Sequence, residues 1–366
     1  MRRPGEADRF GVPGQRASLV HRWLRPRRRR IGIAVGVAAV LTVTAIVVWP
    51  GGGDGNAPGL VTRVLATGAP GGGATAPIPK ADRATIAIAA QPTFLIFVAG
   101  RSLTGTSFSA TQIAGRDWGW PIGRESELID ASRTGEAYWS PAVNSDRTMI
   151  VYVGGSVTQI GLFAGQGDIV SAQLNGTGQH VLTTTNSDSD PVWSPDGRQI
   201  AFIRDGYIWL MSSDGSHQRA LVTGVSVVHS IAWAPNGTEL AADAGQPGRI
   251  AIINIQNNSF HWFSPARSGV EQYDPSWSPD SKQLVYGVTG RNALFISNLS
   301  GTNVRQLTSC TAGCEQDLEP TWSPDGSQIA FVRTLATGEQ IYVVPAAGGA
   351  ARPETTGPDQ HAMPSW

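Results

Sequence analysis

From about residue 84 onward, apolar residues come in short runs, each closed by a cluster of Gly, Pro, Asp, Asn or Ser. Runs of that length between turn residues predict β-strands rather than helices. Glu319–Thr356 shows the pattern in full. "PTW" is a short strand, and "SPDG" is a tight turn in which Pro presets φ and Gly takes a positive φ at the close. "SQIAFVR" is a second strand that alternates polar and apolar up to Phe331, "QIYVVPA" is a third and "AARPETT" an outer fourth. The same four pieces recur in "DPVWSPDGRQIAFIRDGYIWLMSSDGSHQRALVTG", and in weaker form in "IAWAPNGTELAADAGQPGRIAIINIQNNSFHWF".

The recurrence is measured from the Trp residues 139, 193, 233, 277, 322 and 366, which are spaced by 54, 40, 44, 45 and 44. A period of 40–50 residues with four strands per unit predicts a β-propeller, in which each sheet buries its faces against its neighbours around an axis. Blade two reads as the loosest: "YWSPAVNSDRTMIVYV" carries a longer turn, and an insertion follows around Gly154–Gly167. "HAMPSW" at the end of the sequence is the first strand of a further repeat, while "TFLIFVAG" at Thr93–Gly100 reads as a second strand with no Trp-Ser-Pro before it. Pairing the two, with later segments up to about Ala131 supplying the other strands, completes one composite blade. The expected domain is therefore all-β, a six-bladed propeller over 84–366 whose first and last segments share a blade. Such closure leaves no sheet edge between them for aggregation to start from.

The preceding residues follow another pattern. Ile31–Trp49 is uncharged for nineteen residues and would make a helix of about 28 Å, close to the hydrocarbon thickness of a bilayer. No Ala-x-Ala site follows, which favours an uncleaved transmembrane signal anchor over a cleaved signal peptide or a twin-arginine signal. Residues 1–30 hold ten Arg against Glu6 and Asp8, a basic flank that places this tail in the cytoplasm and the rest outside. Residues 50–83, rich in Gly, Pro, Ala and Thr, read as a flexible tether between anchor and propeller.

Charge sharpens the picture. The 28 basic and 28 acidic residues balance, but the Arg-rich tail leaves everything after residue 30 acidic. No basic patch interleaved with aromatics occurs there, which argues against a nucleic-acid partner. The 44 Gly and 24 Pro suit a chain full of tight turns.

The repeated "WSPDG", followed by "QIAF" and then "IYV" or "IWLM", resembles the repeat of the TolB-type β-propeller family over roughly residues 90–366. The resemblance implies an extracytoplasmic, six-bladed, non-catalytic propeller that serves as a protein-binding platform at the bacterial envelope. Related repeats also form the propeller that gates prolyl-oligopeptidase-type peptidases. Unlike TolB itself, this chain shows no α/β domain before the repeats, only a tail, an apolar stretch and a tether, and no hydrolase segment accompanies them.

Catalytic signatures are sparse. The sequence holds no GxSxG elbow, HExxH or P-loop, and its six His residues are scattered without metal-ligand spacing, so they read as surface or loop residues. Cys310 and Cys314, the two cysteines, fall in the loop between the fifth and sixth blades; outside a membrane they read as a structural disulfide, with redox and metal roles as the lesser alternatives. An acid stands three residues before four of the Trp residues: Glu136, Asp190, Asp274 and Glu319. On innermost strands these would meet at one height around the central channel. Two roles are open to them: local caps that hydrogen-bond strand or neighbouring-blade backbone, or an acidic mouth that takes a basic peptide or a divalent cation such as calcium. The sequence implies no obligate cofactor. The expected function is a monomeric, single-pass binding platform at the bacterial cytoplasmic membrane whose partner is an envelope protein or peptide. The alternative is an extracytoplasmic, metal-dependent hydrolase or lactonase that uses the channel.

Overall fold

The computed structural model describes residues 94–102, 108–117, 125–130, 136–156, 166–221, 224–245, 248–263, 270–311, 313–357 and 359–366. The basic tail, the apolar stretch Ile31–Trp49 and the tether lie outside them. Among the described residues no helix is long and apolar enough to cross a membrane.

In chain order the strands are β1 (Phe94–Ser102), β2 (Phe108–Asp117) and β3 (Ser126–Asp130); β4 (Glu136–Val143), β5 (Met149–Ser156), β6 (Asp168–Gln173) and β7 (His180–Val181); β8 (Asp188–Trp193), β9 (Gln199–Arg204), β10 (Tyr207–Ser212) and β11 (Arg219–Ala220). They continue with β12 (Val227–Trp233), β13 (Glu239–Ala244), β14 (Arg249–Asn254) and β15 (Phe260–Trp262); β16 (Gln272–Trp277), β17 (Gln283–Val288), β18 (Ala293–Asn298) and β19 (Arg305–Gln306); β20 (Cys314–Trp322), β21 (Gln328–Leu335), β22 (Gly338–Pro345) and β23 (Arg352–Pro353); and β24 (Gln360–Ser365). They form six four-stranded antiparallel sheets, five from consecutive strands and one in the order β24-β1-β2-β3. That sheet is the composite blade: Val98 pairs with Ala362, Ala99 with His361 and Gly100 with Gln360.

The core explains why runs such as "FLIFVA" are apolar at every position. Successive side chains of a strand point to opposite faces, and here each face meets another blade. Phe94 and Ile96 pack with Tyr138, Ile150 and Tyr152 of blade 2. Leu95, Phe97 and Ala99 pack with Ala330, Val332 and Ile341 of blade 6. One such cluster fills each of the six junctions.

The turn chemistry follows the sequence closely. In blade 3, Gly197 N–H donates to Ser194 O at 2.9 Å with Gly197 at φ 69°, while the Asp196 carboxylate accepts from Ser194 Oγ at 2.6 Å and from Arg198 N at 3.1 Å. Those bonds hold the Asp196 carboxyl below its ordinary pKa, Ser194 first. The Trp indoles then staple blades together: Trp193 Nε1 donates to Ala142 O (3.2 Å), Trp277 Nε1 to Ala232 O (3.1 Å) and Trp366 Nε1 to Thr321 O (3.1 Å).

Blade 2 differs from the sequence reading. Its turn is Asn144–Arg147, no longer than the others, with Arg147 N bonded to Asn144 O and Arg147 at φ 56° where blade 3 has Gly197. Val143 pairs with Ile150 as Trp193 pairs with Ile200, so Val143 fills the blade Trp position. Trp139-Ser140-Pro141 mimics the Trp-Ser-Pro turn but lies within β4, where Ser140-Pro141 matches Asp190-Pro191.

His361 also departs from expectation. It is 2% exposed, its Nε2 lies 3.1 Å from Glu125 Oε2, and its ring meets Phe97 edge-on. It belongs to the junction of the composite blade, not to the surface.

Candidate functional site

The first strand of each repeat, β24, β4, β8, β12, β16 and β20, sits at one edge of its sheet and neighbours its counterparts in the adjacent blades, so these strands ring the axis. Each ladder slips midway along this strand. In five blades the residue at the slip has a positive φ: Ser140 (47°), Asp190 (48°), Asp274 (49°), Glu319 (48°) and Met363 (54°). A Pro follows every one of them. Such a bulge turns the side chain of its residue away from the regular alternation, here toward the next blade along the ring.

The resulting contacts form a chain around the axis. The Asp274 carboxylate accepts from Glu319 N at 3.2 Å, and Glu319 Oε2 accepts from Met363 N at 2.7 Å. Met363 Sδ accepts from Ser140 N at 3.0 Å, and Ser140 Oγ donates to Asp190 Oδ1 at 3.0 Å. Three of the four acids expected from the sequence, Asp190, Asp274 and Glu319, thus share one ring position. Glu136 does not: it begins β4 opposite Ser156, four residues before the ring residue Ser140. Ser230 of blade 4 completes the set by register, since Trp233 pairs with Leu240 as Trp193 pairs with Ile200.

Electrostatics separate the acids. Each is half-buried, and desolvation is the leading influence on all three. Burial raises the Asp190 carboxyl to about 6 against the opposing hydrogen bonds of Ser189 and Ser140. Glu319 is pushed up to about 8 by burial, then by the negative charges of Asp274 and Glu339. Asp274 is raised by burial, with the Glu319 N–H and the His229 imidazole pulling the other way. At neutral pH Asp190 is therefore ionised and Glu319 carries its proton. A cation arriving on the axis would draw that proton off, since opposite charge favours the ionised form.

Both roles weighed for the acids leave a mark. Asp274 and Glu319 do bond the backbone of the following blade. They also retain the raised, mutually repelling carboxyls of an acidic mouth. The ring carboxylates do not converge on one point: among the described residues, the one group of three potential ligand atoms within 4.8 Å of one another is Cys310, Cys314 and Asp317. A divalent cation shared by the ring would require its side chains to move.

Several neighbours escaped the sequence reading. Glu339, raised by burial, stands near Glu319. Asp243 of β13 is 1% exposed and occupies the position held by Ile203, Gly287 and Val332 in blades 3, 5 and 6. Buried ion pairs brace two inner strands: Arg204 grips Asp188 through Nε and Nη2 (2.6 and 2.9 Å), and Arg333 grips Asp317 likewise (2.7 and 2.9 Å). The expected disulfide is present, joining Cys310 to Cys314 with their Cα atoms 5.2 Å apart.

Residues 206–366 match the sequence profile of the TolB beta propeller domain. A Tol-Pal system protein TolB of Gluconobacter oxydans is 34% identical over 99 residues, 24% of this chain and 22% of that protein. An uncharacterized peptidase of Bacillus subtilis, YuxL, is 28% identical over 126 residues, 33% of this chain and 18% of that protein. The matched part of the chain thus spans about a fifth of these curated relatives. Among solved structures, TolB from Acinetobacter baumannii superposes with a TM-score of 0.60 at 18% identity, covering 75% of this chain and 66% of that one. A chain of a nidogen/laminin complex reaches 0.57 at 12% identity, covering 74% and 97%. Likeness at such low identity establishes the fold alone, but it agrees with the profile match and with the repeated Trp-Ser-Pro-Asp-Gly turns. The six-bladed fold of this chain is therefore TolB-like, and its residues 206–366 carry the TolB-type β-propeller repeat.

Proposed function

We propose that this chain is a membrane-anchored propeller displayed outside the cytoplasmic membrane of a bacterium, where it binds a protein or peptide at the cell envelope. The observation that carries the reading is the ring of Asp190, Asp274 and Glu319, whose carboxyls stay raised by burial although N–H and O–H donors bond each of them. Low-dielectric walls focus such a field, so a basic peptide segment is the occupant it favours. The uncharged stretch Ile31–Trp49 behind ten Arg supports the anchor and its orientation. The name of the Gluconobacter relative, a Tol-Pal system protein, supports an envelope setting.

The test is crosslinking of the intact membrane-bound chain, with identification of what is attached, repeated for Asp190→Asn combined with Glu319→Gln. A partner held by the ring is captured less by the variant, and its capture loses salt dependence. Equal capture at every salt concentration would place binding elsewhere. Orientation is tested separately: protease added to cells with opened outer barriers digests the propeller and spares residues 1–30, whereas a cleaved propeller in the medium would refute the anchor.

A further inference from the structure

Cys310 and Cys314 do more than close a short loop. Their sulfurs and a carboxylate oxygen of Asp317 all lie within 4.8 Å of one another, and Cys314 Sγ is 3.8 Å from Asp317 Oδ1. The disulfide sulfur has no hydrogen to donate, so this approach is a contact without a hydrogen bond. Asp317 is wholly buried, while both cysteines are partly open to solvent. Cys-x3-Cys falls within the spacing of zinc-binding cysteine pairs. Zn–S bonds of about 2.3 Å and Zn–O bonds of about 2.0 Å require tetrahedron edges of about 3.5–3.8 Å. The Cys314–Asp317 edge, at 3.8 Å, is within about 0.3 Å of the S–O edge of that tetrahedron, and the disulfide must open for the two sulfurs to take the S–S edge.

From this we infer that the loop leading into β20 is a redox-gated site for a thiophilic divalent cation, with Cys310, Cys314 and Asp317 as its protein ligands. A dithiol reductant delivers two electrons and two protons to the disulfide and is itself oxidised to a disulfide. The cation then displaces both thiol protons to solvent as it binds the two thiolates. Charge closes in either state. In the oxidised chain Asp317 is neutralised by Arg333, bonded at 2.7 and 2.9 Å. In the loaded chain two thiolates and one carboxylate face one dication and the same guanidinium. Asp317 keeps Oδ2 on Arg333 and offers Oδ1 to the cation. Arg333 also reaches Ser309 O at 3.4 Å, which holds it against the loop. The fourth position faces solvent on the side of the partly open cysteines and takes water. Thiolate donors select zinc-like ions over calcium or magnesium, so this site is chemically separate from the carboxylates of the channel ring.

The experiment uses the full chain reduced with a phosphine and titrated with Co(II) as the spectroscopic probe. One equivalent of Co(II) is expected to produce a thiolate-to-cobalt charge-transfer band and tetrahedral visible bands, which zinc bleaches and the oxidised chain lacks. Cys310→Ser should abolish the charge-transfer band. Asp317→Asn alone would strand a buried guanidinium, so it is combined with Arg333→Gln; that pair should weaken Co(II) binding about tenfold or more. Glu315→Gln, an exposed neighbour, should change nothing. A reduced chain without the thiolate–cobalt band overturns the proposal, as does a folded Asp317→Asn/Arg333→Gln variant that binds Co(II) as tightly as the parent.

Discussion

Met363 donates its backbone N–H to Glu319 Oε2 at 2.7 Å, so the closing strand is tied to the preceding blade through a carboxyl that is protonated at neutral pH. The bond survives protonation because the carbonyl oxygen still accepts. Glu319→Gln keeps that acceptor but has no proton to lose, so it should match the parent near pH 4 and be the more stable of the two at pH 7. Glu319→Ala also strands the N–H and should be about 1–3 kcal/mol less stable than Glu319→Gln. The pH dependence has a definite sign. A carboxyl raised from its ordinary value of 4.5 to about 8 binds its proton more tightly in the folded state. Its contribution is full below the unfolded value and is lost as pH climbs through about 8. Urea midpoints measured from pH 4 to pH 9 should therefore fall with rising pH, and Glu319→Gln should flatten part of that slope.

Closure of the ring predicts a larger effect. Removing residues 361–366 deletes most of β24, leaves β1 with an unpaired edge, and removes the Trp366 staple to Thr321 O and the His361–Glu125 contact. A cost of at least about 3–5 kcal/mol is expected, with aggregation through the freed edge. A melting temperature equal to that of the full chain would show that the composite blade does not hold the ring shut.

The blades and their closure were legible because two independent signals agree, a period near 44 residues and the Trp-Ser-Pro-Asp-Gly turn. Blade 2 misled because Trp139-Ser140-Pro141 copies that turn inside a strand. The warning was the first spacing of 54; counting from Val143 instead makes it 50 and puts Ser140, not Glu136, in the ring. Met363 stands three residues before Trp366 and falls to the same counting, but a thioether carries no charge to mark the position. The Asp188–Arg204 and Asp317–Arg333 pairs also have a trace in the repeats: blades 3 and 6 carry both residues at matching positions, and blade 5 has Gln272 and Val288 there. Such a signal appears only when repeats are compared position by position. The disulfide needed no more than two cysteines in one short loop.

The indole staples give a comparison internal to one protein. Trp193 Nε1 bonds Ala142 O, whereas the buried Trp233 Nε1 has no hydrogen-bond partner. Replacing Trp with Phe removes the donor and keeps an aromatic ring. Trp193→Phe loses a made bond and leaves a carbonyl unpaired, an extra cost of about 0.5–1.5 kcal/mol. Trp233→Phe loses no bond and relieves an unsatisfied donor, so it should be the milder change. Equal losses in chemical denaturation would mean that ring size, rather than the staple, sets the energetics of these junctions.

Asp243 is where the fold sets a charge against its own core. Its carboxyl is 1% exposed, Oδ2 has no hydrogen-bond partner, and the matching residues Ile203 and Val332 are apolar. Burial pushes its pKa up to about 8, with the charges of Asp274 and Glu271 adding to the rise. The proton stays on at neutral pH, and the folded state must release it or resist as the solution becomes alkaline. Asp243 therefore stabilises relatively at low pH and destabilises progressively from about its unfolded value up to about 8. Asp243→Val removes an unsatisfied polar group from an apolar junction and should stabilise the propeller by about 1–3 kcal/mol at pH 7. The gain should grow toward pH 9 and shrink toward pH 4, as read from urea midpoints across that range. A uniform gain at every pH would assign the effect to packing alone, and a loss would show that the carboxyl has a partner holding blades 4 and 5 together. Because Asp243 and Glu319 are both raised by the charge of Asp274, the same variant tests coupling along the axis. With Asp243 gone, Glu319→Gln should flatten a further part of the slope that remains, the rest belonging to Asp190, Asp274 and Glu339.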